Sequence, residues 1–133
     1  MEGKRLLDHF IEIAPLLPRI MNMENNVVVW ATDSEKYTLM IVPKTVEWKD
    51  FNTKEGDPIR AGIGPVVMKT KKPSHAIIPS EVFGVPLRAS AYPIIEKDEV
   101  IGVIGISFGV SKEKQVSDMA SKLANICAQL YYQ

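Results

Sequence analysis

The chain has 133 residues, enough for one domain, and its 46% hydrophobic content is enough to bury a core and too much for a disordered segment. Sixteen Lys and Arg balance sixteen Asp and Glu, so the basic footprint of a non-specific nucleic-acid binder is missing. One cysteine, Cys127, excludes an intramolecular disulfide; the charged opening MEGKRLLDHFIEIAP is no signal peptide; and the longest apolar run, around Val100 to Val110, falls short of the ~20 residues of a membrane helix. The expectation is a cytoplasmic protein that engages neither nucleic acid nor membrane, organised as one domain over 1–133.

In chain order, Leu6, Phe10, Ile13, Leu17 and Ile20 recur at three- and four-residue spacing and predict a helix within residues 1–22. Pro15 and Pro18 predict a kink or restart near Ala14. Two β-rich runs, Val27 to Ala31 and Lys36 to Val42, flank Thr-Asp-Ser-Glu and predict a hairpin. Residues 43–65 carry three prolines and three glycines and keep no sustained period, so they read as loop with one helical turn around Trp48 to Phe51. Pro65 suits the first position of a helix running to Lys71, Pro73 stops it, and His75 to Pro79 reads as a short third strand.

Residues 84–109, GVPLRASAYPIIEKDEVIGVIGISFG, supply two further strands reversing at Lys97-Asp98. Ser111 is placed to cap a last helix in which Val116, Met119, Leu123, Ile126 and Leu130 repeat the alternating spacing, either as a seam between helices or as the inner face of a helix lying on the sheet. Residues 26–110 thus form a core of sheet and loops, with terminal helices over 1–22 and 111–133. The fold class is α+β: a five-stranded antiparallel, PAS-like sheet with short helices on one face and the N- and C-terminal helices on the other.

A two-residue turn at Lys97-Asp98 sets Arg88 opposite Ser107 and Ser90 opposite Gly105. One face of this hairpin is then wholly apolar and needs covering by the terminal helices. The other carries Arg88, Ser90 and Tyr92 beside Ser107 and Gly105, an apolar wall with a few polar groups, as in a small-molecule pocket. Gly105 facing Ser90 leaves a gap in the sheet surface. Two readings stand for Arg88: it anchors an acidic ligand through its planar fork, or it ends at the sheet margin against a glutamate such as Glu81. Tyr92 divides in the same way between ligand contact and a core tyrosine, and His75, at the start of a strand near the gap, joins the candidate ligand set.

No catalytic constellation is visible. His9 and His75 lie on different elements without metal-ligand spacing, so no metal site is expected. Gly62-Ile63-Gly64 lacks a third glycine and a preceding strand, which argues against a dinucleotide fingerprint. Cys127 reads as a small buried hydrophobe. The residues specify no cofactor.

Several phrases fall in a known order: VVWATD (28–33), EGDPI (55–59), KKP (71–73), FGVP (83–86), SAYPI (90–94) and VIGVIGI (100–106). In that order the chain, from about Phe10 to Leu130, resembles the PAS/Cache-like N-terminal sensor domain of soluble methyl-accepting chemotaxis receptor-like proteins. The resemblance implies a ligand cavity between the sheet and its loop-and-helix side, flanking helices that dimerise and pass signals, and no catalytic residues. In such receptors the last helix continues into a long signalling hairpin, whereas this sequence stops at Gln133, which leaves a sensor domain of a longer protein or a stand-alone relative.

The resulting expectation is a non-enzymatic, chemotaxis-receptor-like signal-transduction sensor that binds a small, acidic molecule through Arg88, Ser90, Tyr92, Ser107 and His75. It would homodimerise through Leu6, Phe10, Ile13, Leu17, Val116, Met119, Leu123, Ile126 and Leu130 and act on a downstream signalling partner. The alternatives are a ligand-free dimerisation scaffold and, less well supported, a small enzyme.

Overall fold

The computed structural model describes the backbone over residues 2–110 and 112–131, and the side chains over 3–110 and 120–129. Helix α1 (Glu2–Ile13) passes through a 3-10 turn at Ala14–Leu16 into one further turn, α2 (Leu17–Ile20). The restart falls at Ala14 because Pro15 and Pro18 each occupy the first positions of a helical piece, where a missing amide donor leaves nothing unsatisfied.

Strands β1 (Val27–Thr32) and β2 (Tyr37–Ile41) follow as the expected hairpin. Their connection is fixed by Asp33, whose Oδ1 accepts hydrogen bonds from the amides of Glu35 at 2.7 Å and Lys36 at 2.8 Å. The loop beyond holds a 3-10 turn at Val46–Trp48, and then come α3 (Ile63–Thr70), β3 (Ser74–Ile78), α4 (Ser80–Phe83), β4 (Leu87–Glu96), β5 (Glu99–Gly109) and α5 (Lys112–Tyr131). α3 starts two residues before its proline, and α4 was not anticipated, since four residues are too few to show a period. The strands form one antiparallel sheet in the order β2-β1-β5-β4-β3, which with the terminal helices makes an α+β fold.

The sheet separates two cores. On one face Val28, Trp30, Leu87, Ala89, Ala91 and Val103 are buried beneath α3, the loop residues Trp48 and Phe51, and Phe83 of α4. On the other, Ala31 and Ile94 are buried under Leu7 of α1, with Phe10, Ile11, Ile101 and Ile104 around them. β1 lies between the two cores and is buried at every position, its unbroken apolar run suiting a strand covered on both faces. In α5, every residue from 120 to 129 is exposed, so this part of the helix does not cover the sheet. Cys127 is therefore exposed rather than buried.

The β4–β5 register differs from the expected one. The turn does fall at Lys97-Asp98, pairing Glu96 with Glu99 and Ile95 with Val100, but the next pair is Ile94 with Gly102. Ile101 is the extra residue of a β-bulge, and a one-residue slip moves every later partner to the other face. Arg88 consequently faces Phe108, Ser90 faces Ile106, Tyr92 faces Ile104, and Ser107 faces Ala89. The bulge has a packing cause: Ile101 and Gly102 both lie against α1. A Cβ on Gly3 would come within 3.1 Å of Ile101, and one on Gly102 within 2.8 Å of Leu7.

Candidate functional site

The loop-side core encloses a small cavity bounded by Trp30, Tyr37, Phe51, Phe83, Leu87 and Ser107. Its volume is about 20 Å³, room for roughly one water molecule. The floor is set by three residues of the central strands. Trp30 of β1 pairs with Gly105 of β5, and its indole lies over that glycine, where any methyl group would overlap the ring. The indole Nε1–H donates to Ser107 Oγ at 3.1 Å, a buried bond that holds the ring in place. The gap expected at Gly105 therefore exists in the backbone, but Trp30 fills it.

Tyr37 meets Trp30 edge to face, with ring centroids 5.9 Å apart, and burial pushes its phenol up to about 12 because the phenolate would lose its hydration. On the opposite wall Phe83 stacks on Phe51 at 6.0 Å, and Phe51 packs on Trp48 at 6.0 Å. Phe83 can lie where it does because residue 62 is glycine: a Cβ there would come within 2.8 Å of Phe83 Cζ.

Trp48 leads out of the core. Its indole N–H donates to the Asn25 carbonyl at 2.9 Å, just before β1. Its ring also covers Gly109 at the end of β5, where a Cβ would approach Trp48 Cζ2 to 2.8 Å. The Gly109 amide in turn donates to the Asn26 carbonyl at 3.2 Å. The entry from α2 into β1 and the exit from β5 toward α5 thus meet under one tryptophan, two rings away from Phe83.

The structure separates the predicted ligand residues. Ser107 lines the cavity; Arg88, Ser90, Tyr92 and His75 lie on the opposite sheet face, the one that α1 partly covers. There His75 Nδ1 and Ser90 Oγ share a hydrogen bond of 2.8 Å, and Tyr92 is 56% exposed. Placing Arg88, Ser90, Tyr92 and His75 in one pocket with Ser107 is therefore corrected, and the physical reason is the bulge at Ile101. Among the predicted dimer residues, Leu6, Ile13, Leu123 and Ile126 are exposed, whereas Phe10 and Leu17 are partly buried. The side chains of Val116, Met119 and Leu130, and Ser111 as a cap, lie outside the described residues.

Over 127 residues, 94% of its length, the chain is 29% identical to a protein of Bacillus subtilis (strain 168) described as "Putative sensory transducer protein YfmS". It is a distant homologue of that protein. The chain spans 43% of that relative's length. No protein-family model matches the chain, and no solved structure does.

Sequence reasoning missed Tyr37, Phe51 and Phe83, which come from a strand end, a loop and a four-residue helix with no common period. Trp30 reads from the sequence either as cavity lining or, as is usual for an aromatic in a strand, as core. The signal that could have found it was Gly105, a glycine inside a strand, which marks a close approach by a neighbour. Among the described residues no group of three His, Cys, Asp or Glu is placed to hold a metal ion, and no helix is long and apolar enough to cross a membrane.

Proposed function

We propose that this chain is a PAS/Cache-like sensor unit of a signal-transduction protein, not an enzyme, and that it binds a small molecule on the loop side of the sheet, above Trp30 and Ser107. Similarity to a sensory transducer over 94% of the chain supports a signalling role. The observation that carries the mechanism is the continuous aromatic contact from the cavity wall to the helix junction, through Phe83, Phe51 and Trp48. A cavity of about 20 Å³ admits anything larger than a methyl-sized group only if a wall side chain such as Phe83 moves. Moving Phe83 disturbs Phe51 and Trp48, and with them the clasp between Asn25, Asn26 and Gly109. The terminal helices, dimerised through Leu6, Ile13, Leu123 and Ile126, would then change their relative setting, and the ligand would select between two arrangements of the dimer.

Native mass spectrometry for a co-purified molecule and a thermal-shift screen of organic acids, amino acids and purines test this. A ligand at about one hundred times its Kd should stabilise by about 2.7 kcal/mol. No co-purified molecule and no stabilising compound would defeat the sensor reading. The second reading, a dimerisation module whose cavity is filled by its own side chains, is favoured by the same small volume and predicts that negative result.

A further inference from the structure

Beside the inner cavity lies a larger, open cleft of about 380 Å³, bounded by Asn52, Thr53, Asp57, Arg60 and Val82, with Tyr37 and Phe83 in its wall. Tyr37 and Phe83 also bound the inner cavity, so these two residues are common to the walls of both spaces. The cleft is built before any ligand arrives. The Asn52 amide donates to the Phe83 carbonyl at 3.0 Å, the Gly56 amide to the Tyr37 carbonyl at 2.8 Å, and the Tyr37 amide to the Asp57 carbonyl at 2.9 Å. Asp57 is committed to the loop as well, because its Oδ2 accepts the Lys54 amide at 3.0 Å. Arg60 stands differently: it is the cation of the cleft wall, and among the described residues it makes no hydrogen bond or ion pair.

We infer that the ligand is a small organic monocarboxylate, its carboxylate held by the Arg60 guanidinium in the outer cleft and its apolar end against Tyr37 and Phe83. This rests on the loop-side sensor reading above and specifies its ligand. The guanidinium presents parallel N–H groups that match a carboxylate, while the Asn52 side-chain amide, its Oδ1 held by the Thr53 hydroxyl at 3.0 Å, can donate a further hydrogen bond. Asp57 opposes a second negative charge, which selects against dicarboxylates. The inner cavity takes only a methyl-sized group as it stands, so a bulkier apolar end presses on Phe83, the ring from which the aromatic contacts lead to the helix junction.

The test is isothermal titration calorimetry of the full chain with isovalerate and phenylacetate, with their neutral amides, and with succinate, on wild type and Arg60→Gln. Wild type should bind at least one monocarboxylate at least tenfold more tightly than its amide and than succinate, and Arg60→Gln should lose at least tenfold for the acid with little change for the amide. Arg60 is exposed, so the ligand-free variant should melt with the wild type. If it does not, Arg60→Lys, which keeps the charge and loses the fork, should bind with intermediate affinity. Acid and amide binding alike, with no effect of Arg60→Gln, overturns the carboxylate inference and leaves the sensor reading standing. Binding of none of these probes also overturns the inference, and the broader thermal-shift screen then decides the sensor reading separately.

Discussion

Gly105→Ala should damage this protein far more than one methyl group on a central strand suggests. Alanine removes the entropic cost of glycine in a strand, a gain of about 0.5–1 kcal/mol. Against that, the new Cβ overlaps the six-membered ring of Trp30, which is only 5% exposed and has nowhere to go without repacking. Overpacking of this kind costs about 1–3 kcal/mol. Displacing the indole also breaks its bond to Ser107, leaving buried polar groups unsatisfied for about another 1–3 kcal/mol. The net expectation is about 3 kcal/mol of destabilisation, read as a lower guanidinium midpoint at unchanged slope. A double-mutant cycle isolates the cause. Trp30→Phe alone should cost about 1–3 kcal/mol, because it removes ring volume and the same hydrogen bond. In that background Gly105→Ala should cost about 1 kcal/mol or less, a coupling of about 2 kcal/mol. Additivity within about 0.5 kcal/mol would refute the account of Trp30 as the group that fills the notch.

Three further outcomes follow from named contacts. Tyr37 has a folded pKa of about 12 against an ordinary value of 10.0, so both states keep the proton below pH 10 and only the unfolded chain ionises above it; stability should fall from about pH 10 to about pH 12. Tyr37→Phe should remove that part of the alkaline loss, and parallel pH profiles of the two proteins would count against it. Gly84→Ala places a Cβ into the Asp50 carbonyl oxygen at a φ of 86°, and should cost at least about 2 kcal/mol more than Gly56→Ala, whose φ is 96° but whose surroundings are open. Sedimentation should show a dimeric wild type and a monomeric Leu123→Asp, since Leu123 is 59% exposed on the apolar stripe of α5; a folded monomeric wild type would end the helical-dimer proposal.

The elements were largely legible in the sequence because each is written in local chemistry. β-Branched and aromatic runs on either side of a turn gave β1 and β2, Pro15 and Pro18 marked the break at Ala14, and Lys97-Asp98 marked the reversal, where both residues adopt positive φ of 52° and 66°. The candidate site was much less legible. Tyr37 comes from β2, Phe51 and Arg60 from the loop before α3, and Phe83 from α4, and no local pattern ties a loop phenylalanine to a tyrosine at a strand end.

The sequence alone determined that residues 84–109 form a hairpin whose side chains alternate between two faces, because a strand has a period of two. It also determined that Gly102 and Gly105 point to opposite faces. Neither strand reads as half-solvated, yet Arg88 and Tyr92 are exposed, because α1 covers only part of their face. Which residues share those faces was decided only in three dimensions. α1 lies against both Ile101 and Gly102, two consecutive residues that a regular strand would direct to opposite sides, and the bulge that reconciles them shifts Ser107 away from Arg88, Ser90 and Tyr92. A contact some ninety residues apart in the chain thus sets which polar groups meet the cavity, and no local propensity at residue 101 encodes it.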